Sequence, residues 1–273
     1  MGDGSTLAEQ TVPLLPYTSL NEQASETILF IHGAFGDRNG WDLVTPHLST
    51  YHLLLPDLPS HGESRSLTPF TLDTSARLLA HLVRIKAHNS KAHIVGLSLG
   101  AQVALRLICT YPDLVLSALI SGISQTVSTG PKWFTPWLPR GFWLSQRLEA
   151  CVPNSLKSYL MDGADLERQD VSVVDMPLCR SIIETLAKRT EPGPWSARTL
   201  IVAATKSGII PSLDSPEVAK KLAGIGRLGN EETLAVEHKG MRHPWCRQDP
   251  SLFARLVEAW IQGKELPEGF EIL

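Results

Sequence analysis

The sequence predicts an α/β fold in which a mostly parallel sheet is flanked by helices. Short continuous apolar runs, typical of strands buried on both faces, alternate with segments whose apolar residues recur at helical spacing. Strands that alternate with helices form parallel sheets through right-handed crossovers. One stretch, residues 123–195, breaks this alternation, and we predict that it forms a helical lid inserted between two core strands.

The first half of the chain supplies three predicted strands, each a run of apolar residues that ends at a cluster of glycine, proline or polar residues. The helix after the second strand is recognised by the helical spacing of Leu72, Ala76, Leu79, Leu82 and Val83. The predicted strands span residues 27–31, 52–55 and 92–95, and the predicted helices span residues 41–48, 72–88 and 99–111.

A further buried strand is predicted over residues 116–120, before the inserted segment. Within that segment, short helices are predicted over 154–161 and 177–188. The remaining elements are strands over 199–204 and 233–236 and helices over 216–222 and 251–261. The predicted core therefore comprises residues 1–122 and 196–273, and the predicted lid comprises residues 123–195.

The predicted lid is rich in aromatic residues, and Trp133, Trp137 and Trp143 are our candidates for lining a substrate pocket. The segment leaves the sheet at the carboxyl end of a strand, where binding sites of α/β proteins lie. Aromatic side chains are typical of apolar ligand pockets. We therefore expect an apolar small molecule as the substrate.

Composition excludes several classes of partner. The chain has 273 residues, a formal net charge of −3 and scattered Lys and Arg, which does not indicate a nucleic-acid or anionic-membrane surface. No apolar run is long enough to span a bilayer, and residues 1–10 lack the apolar region of a secretory signal. The four cysteines show no paired or metal-ligand spacing, so we expect a cytoplasmic protein without a metal or other cofactor and without an obligate protein partner.

The pentapeptide Gly96-Leu97-Ser98-Leu99-Gly100 has the pattern of a nucleophile elbow. It follows a predicted strand and precedes a predicted helix, as such an elbow requires. The turn would lift the Ser98 hydroxyl out of the sheet at a helix N-terminus, where backbone N–H groups favour developing negative charge. The alternative is a glycine-rich turn whose serine only caps the helix.

Several motifs beside the elbow show that the sequence resembles the α/β-hydrolase superfamily, and the resemblance covers most of the chain. These motifs are His32-Gly33-Ala34-Phe35-Gly36, Asp57-Leu58-Pro59-Ser60-His61-Gly62-Glu63-Ser64 and Met241-Arg242-His243-Pro244-Trp245. The interrupted sheet is also typical of this superfamily.

The resemblance implies a role for each matching residue. Ser98 would be the nucleophile, and His243, between the last strand and the last helix, would be its base in preference to His238. The oxyanion hole would use the N–H of Leu99 and an N–H from the loop after the first strong strand, most simply that of Ala34, with Phe35 beside it. His32 would hold that loop by hydrogen bonds, and Asp57 would brace the loop at its own strand end.

The acid of the triad is where the sequence departs from the superfamily. The position that usually carries it, after the strand over 199–204, holds Ser207, and the segment 121–124 after the previous strand holds no carboxylate. Asp214 is the nearest carboxylate downstream, and it is our candidate for the third catalytic residue, although it could equally cap the following helix. The other possibilities are a dyad assisted by Ser207 or water and an acid recruited from elsewhere in the chain.

The function predicted from these features is that of a serine hydrolase, which cleaves an ester, thioester or lactone of an apolar small molecule. Since the acid is displaced, a second hypothesis is a non-hydrolytic enzyme on the same scaffold, with an aldol, cyclisation or elimination step in secondary-metabolite biosynthesis. A third is a ligand-binding protein without turnover.

Overall fold

The computed structural model describes residues 12–123, 137–166, 174–207, 212 and 214–273. These residues form an eight-stranded sheet in the order β1-β3-β2-β4-β5-β6-β7-β8. The strands are β1 (Tyr17–Leu20), β2 (Thr27–Ile31), β3 (His52–Pro56), β4 (Ala92–Leu97), β5 (Val115–Ser121), β6 (Thr199–Ala204), β7 (Leu234–His238) and β8 (Glu271–Ile272). The six central strands are parallel, whereas β1 and β8 close the two edges in antiparallel pairings.

Helices connect the parallel strands and pack on both faces of the sheet. They are α1 (Leu72–Lys86), α2 (Leu99–Thr110), α3 (Leu138–Cys151), α4 (Asn154–Leu160), α5 (Met176–Ala187), α6 (Pro216–Arg227), α7 (Trp245–Gln248) and α8 (Pro250–Gln262). Four of them begin at a residue whose side chain accepts a hydrogen bond from a backbone N–H of the first turn, namely Thr71, Asp175, Ser215 and Asp249. The predicted α/β class is confirmed.

The hydrophobic core lies in two layers, one on each face of the sheet. On one face, apolar residues of α1, α2 and α6 pack against the inward side chains of the central strands. On the other face, α8 and two short 3-10 turns bury Trp41, Phe253 and Trp245, and the Phe253 ring contacts both tryptophans. Both faces of strands such as β2 are fully buried, which is why those strands are continuous apolar runs.

Two helix predictions were wrong in their extent. Residues 41–48 do not form one helix: Trp41 ends the 3-10 turn Arg38–Trp41, residues 42–44 form a turn, and a second 3-10 turn spans Thr45–Leu48. Pro46 lacks the N–H that a continuous helix would need there. Helix α6 runs to Arg227, past the predicted end at residue 222. Gly226 lies within its last turn, where a Cβ would lie 2.5 Å from the Trp195 ring.

In the described residues between β5 and β6, where the sequence predicts the inserted segment, the chain forms the helices α3, α4 and α5. Helix α5 buries Leu178, Cys179 and Ile182 in the core, and α3 packs against α5. The division into a core and a lid at residues 123 and 195 stays a prediction. Within the described part of the chain, no helix combines the length and the apolar character needed to cross a membrane.

Candidate active site

The sheet brings the candidate residues together because the loops that carry them follow the carboxyl ends of neighbouring parallel strands. Ser98 directly follows β4 and has φ 57° and ψ −117°, the strained backbone of a sharp strand-to-helix turn. Its N–H donates to the carbonyl of Ser121 on β5 (2.8 Å). The turn also needs Gly100, because a side chain there would lie 2.1 Å from the carbonyl oxygen of Ile31 on β2.

His243 and Asp214 form a direct hydrogen bond, with 2.5 Å between Nδ1 and Oδ1. The carboxylate of Asp214 is fully buried, and its second oxygen, Oδ2, accepts a hydrogen bond from the N–H of Ala204 (2.9 Å). Since an ionised carboxylate only accepts hydrogen bonds, Nδ1 carries the proton and Nε2 is left as the basic nitrogen of the neutral ring.

Asp214 does not cap helix α6, which was the alternative role for it. That role belongs to Ser215, whose hydroxyl accepts from the N–H of Val218 (3.3 Å). Ser207, at the position where the superfamily usually carries its acid, is exposed. The N–H of Ser212 donates to the carbonyl of Lys206 (3.2 Å), so the chain turns back on itself after β6. This return brings the carboxylate of residue 214 to the strand end.

Gly122 separates the imidazole of His243 from the backbone of Ser98. A side chain built on Gly122 would have its Cβ 2.8 Å from Cε1 of His243 and 3.0 Å from the N of Ser98. Gly122 also has φ +82°, in the left-handed region that glycine adopts readily. The approach of the His243 imidazole to the backbone of Ser98 therefore depends on the absence of a side chain at this position.

The loop after β2 lies beside the serine. A Cβ on Gly33 would lie 3.4 Å from Cβ of Ser98 and 4.0 Å from its Oγ, so the segment that contains Ala34 and Phe35 starts next to the hydroxyl. Phe35 has φ +60°, which is strained for a bulky residue. Leu99, the other candidate oxyanion donor, is the first residue of α2.

His32 holds this loop through both of its ring nitrogens, as the sequence predicts. Its Nδ1–H donates to the carbonyl of Gly33 (2.8 Å), and its Nε2 accepts from the N–H of Leu58 (3.0 Å). Burial lowers the pKa of His32 to about 4, so the ring is neutral and can donate at one nitrogen while it accepts at the other.

Asp57 braces the neighbouring loop, also as predicted. Its two carboxylate oxygens accept hydrogen bonds from the N–H groups of Arg38 (2.8 Å) and Glu63 (2.9 Å). The guanidinium of Arg38 lies 3.3 Å from the same carboxylate. These contacts join the loops that follow β2 and β3.

The three predicted pocket tryptophans have different settings. Trp133 lies outside the described residues. Residue Trp137 is 58% exposed, with Arg140 over its ring, and Trp143 is partly buried at the core with Arg147 over its ring. Phe142, which the sequence analysis did not single out, contacts Phe35 with 5.4 Å between the ring centroids.

His238, the competitor of His243, has a different environment. It packs edge-on against Phe270 (4.8 Å between centroids), and its Nδ1 accepts from the N–H of Gly240. Among the described residues, no three His, Cys, Asp or Glu side chains are grouped as a metal site would require. The structure thus brings together Ser98, His243 and Asp214 and keeps His238 apart from them.

A cavity of about 360 Å³ lies between α2 and α6. Its lining includes apolar side chains of Leu105, Leu222 and Ile225, together with Gln102 and Ile123. Ile123 directly follows Gly122, so one edge of the cavity lies a single residue from the contact between Gly122 and His243.

Comparison with known proteins agrees with this architecture. A protein of Gibberella zeae described as an AB hydrolase superfamily protein is 38% identical over 250 residues, 91% of this chain and 84% of that protein. Lipase 3 of Moraxella sp. is 27% identical over 159 residues, which are 58% of this chain and 42% of the lipase. Shorter stretches match an ethanol acetyltransferase of Cyberlindnera jadinii, at 32% identity over 38% of this chain and 32% of that enzyme.

A solved structure of a thermophilic esterase from Thermogutta terrifontis superposes on the chain with a TM-score of 0.66. The two share 18% sequence identity, and the match covers 91% of this chain and 93% of the esterase. At that identity the likeness concerns the fold. The model of the alpha/beta hydrolase family matches residues 28–260, and the chain therefore belongs to the alpha/beta hydrolase family.

Proposed function

We propose that this protein is a serine hydrolase that cleaves an ester of an apolar small molecule through a Ser98–His243–Asp214 triad. The observation that carries the proposal is the buried carboxylate of Asp214 at 2.5 Å from Nδ1 of His243. A buried carboxylate in that place fixes the tautomer of the imidazole and stabilises the imidazolium that forms when the ring takes up a proton.

The reaction follows from these positions. Nε2 of His243 would take the proton of the Ser98 hydroxyl as Oγ attacks the carbonyl carbon of the ester. The N–H groups of Leu99 and Ala34 would stabilise the oxyanion of the tetrahedral intermediate. His243 would then give its proton to the leaving alcohol, and water would release the acid from the acyl-enzyme by the same steps in reverse order. Thioesters and lactones could react in the same way.

An apolar substrate is supported by the aromatic contact at the proposed oxyanion loop. Phe142 of α3 packs on Phe35, and together the two rings place apolar surface beside the loop that follows β2. The partial match to a lipase is in keeping with an ester of an apolar acid or alcohol. We propose that α3, α4 and α5 act as the lid of this site.

Acyl transfer to an alcohol is a second candidate, favoured by the partial match to an ethanol acetyltransferase. It would use the same acyl-enzyme, with an alcohol in place of water as the acceptor. The non-hydrolytic hypothesis was motivated by the missing carboxylate at position 207. Because Asp214 supplies a carboxylate to His243, the lack of one at position 207 no longer favours that hypothesis.

The test is covalent labelling with a fluorophosphonate probe, followed by peptide mapping, together with hydrolysis of p-nitrophenyl butyrate. We expect the label on Ser98 and loss of both label and activity in Ser98→Ala. The matched control is Ser207→Ala, an exposed serine shortly after the end of β6 in the same sheet, which should behave as the wild type. Added ethanol distinguishes the two candidates: free butyrate indicates hydrolysis, whereas ethyl butyrate indicates transfer. A folded protein without label at Ser98 would reject the proposal.

A further inference from the structure

The cavity of about 360 Å³ between α2 and α6 is formed by one face of each helix. The lining residues of each helix are spaced three or four positions apart, as residues on a single helical face are. They include Gln102, Leu105 and Cys109 of α2 and Val218, Leu222 and Ile225 of α6. Two core helices therefore supply two walls of the cavity.

The space remains because the chain that returns to β6 places no helix there. Parallel strands are usually joined by a crossover that contains a helix packed on the sheet. After α5, residues 189–198 run to β6 without helical structure, and Pro192, Gly193 and Pro194 oppose a helix in this stretch. Residues 189–193 line the cavity instead of filling it.

The cavity combines an apolar lining with one buried polar side chain that lacks a partner. Leu105, Leu222 and Ile225 supply apolar surface. Gln102 is 9% exposed, and among the described residues its side-chain amide has no hydrogen-bond partner. Because buried amides are normally hydrogen-bonded, this one indicates an occupant that can donate or accept a hydrogen bond.

The cations that line the cavity already have partners. Nε of Arg106 lies 3.2 Å from Oδ1 of Asp73, and Nζ of Lys221 donates a hydrogen bond to Oε1 of Glu191. Arg189 likewise has an interaction partner. An anion in the cavity would have to compete with these partners, so the lining favours a neutral molecule.

The cavity adjoins the segments that carry the proposed triad without including its residues. Helix α2 follows Ser98, and α6 follows Asp214 and its neighbour Ser215. Ile123 lines the cavity, and its carbonyl accepts a hydrogen bond from the N–H of Ser215 (3.4 Å). Since neither Ser98, His243 nor Asp214 lines the cavity, it is a site distinct from the one at which an ester would react.

We propose that this cavity binds a neutral small molecule with an aliphatic body and one hydroxyl group, namely a medium-chain alcohol. The Gln102 amide offers both a donor and an acceptor, and a hydroxyl group can pair with either. At the roughly 30 Å³ that a water molecule occupies in the liquid, the cavity has room for about ten non-hydrogen atoms. Octanol is of this size. The proposal does not depend on ester hydrolysis at Ser98.

The test titrates octanol into protein with isotopically labelled isoleucine methyl groups and follows the methyl signals by NMR. We expect the signals of Ile123 and Ile225, assigned from Ile→Val variants, to shift in a saturable manner. The signal of Ile28, which is buried on the opposite face of the sheet, should not move. Octanoate should bind at least about tenfold more weakly, because its charged group loses hydration without gaining a free cation.

Gln102→Leu tests the hydrogen bond. Leucine favours a helix and removes the amide, so the affinity for octanol should fall about fivefold, the usual effect of one hydrogen bond. The affinity for toluene, which has no hydroxyl group, should not fall. The matched control is Gln23→Leu in the exposed turn before β2, which should bind both probes as the wild type does.

Val218→Phe tests the location of the site. The larger side chain would occupy part of the cavity, so the affinities for octanol and toluene should both fall about tenfold or more. Ile85→Phe on the exposed face of α1 is the control, and it should leave both affinities unchanged. Circular dichroism verifies the fold of each variant.

Octanol binding that leaves Ile123 and Ile225 unshifted would overturn the proposed location. Wild-type octanol affinity in Gln102→Leu, or an equal loss of octanol and toluene affinity there, would overturn the proposed role of the amide. The titration needs no turnover. A protein that hydrolyses no ester would therefore reject the proposed function, whereas this inference is decided by the methyl signals alone.

Discussion

At the scale of single residues, the candidate site depends on two features: the position of the Asp214 carboxylate and the absence of a side chain at Gly122. Asp214 reaches His243 because the chain turns back after Lys206, whereas Ser207, seven positions earlier, is exposed. Gly122 lets the imidazole approach the backbone of Ser98, since even a methyl group there would lie within 3.0 Å of both. The geometry of the candidate site therefore depends on the course of the backbone and on the space at Gly122 as much as on the identity of the reacting groups.

Gly122→Ala should lower kcat by about a hundredfold or more. The added methyl group must displace the imidazole or the elbow, and misplacement by about 1 Å carries a penalty of that size. The positive φ adds strain that lowers the free energy of unfolding by about 1 kcal/mol or more. The measurement is steady-state hydrolysis beside a urea denaturation curve.

The control for Gly122→Ala is Gly141→Ala on α3, where the added methyl group meets no atom within 4 Å and φ is not positive. Because no described atom outside the helix's own backbone lies within 4 Å of the added group, this variant should retain wild-type kcat, and its stability should at least equal that of the wild type, since alanine favours a helix over glycine. Equal activity in the two variants would show that the space at Gly122 is not needed.

At the scale of elements, the sequence best predicts the strands that are buried along their whole length. Strands β2, β3 and β6 were predicted within one residue of their bounds, because strands covered on both faces are unbroken apolar runs. The edge strands β1 and β8 were missed, since they have four and two residues and no buried face that would mark them. Helix α3 was missed because Pro139 and Gly141 interrupt its apolar pattern.

The residues of the candidate site likewise differ in how far the sequence alone predicts them. Ser98 and His243 are marked by their own neighbours in the sequence, a strand end and a helix start, so local pattern is sufficient to propose them. The pairing of Asp214 depends on the closure of the loop between Lys206 and Ser212, a tertiary contact that no local pattern reveals. The same is true of the contact between Phe142 and Phe35, whose residues are more than one hundred positions apart.

At the scale of the whole molecule, three buried histidines tie the stability of the fold to pH. Burial lowers the pKa of His32 to about 4, of His61 to about 3 and of His93 to about 4. In the unfolded chain each would titrate near 6.5. Below that pH the unfolded state binds more protons than the folded state, so the folded protein loses stability as the pH falls.

The free energy of unfolding should therefore fall between pH 6.5 and pH 4. Each histidine contributes up to about 1.4 kcal/mol per pH unit, and the contribution ends once the pH has passed the pKa of the folded state. Urea denaturation at pH 7, 6 and 5 measures the slope. His93→Gln, which removes a histidine at the start of β4 and away from the site, should reduce the slope by about one proton. A stability that stays constant from pH 7 to pH 5 would contradict this prediction.

The most direct test of the catalytic assignment compares kcat for ester hydrolysis in Asp214→Asn and Ser207→Ala, with circular dichroism to verify the fold of each. Asparagine keeps the shape of the carboxylate but reverses its preference for the imidazole tautomer, so we expect kcat to fall by about four orders of magnitude. Ser207→Ala should stay within about twofold of the wild type. Retention of more than about a tenth of the wild-type kcat by a folded Asp214→Asn variant would contradict the triad.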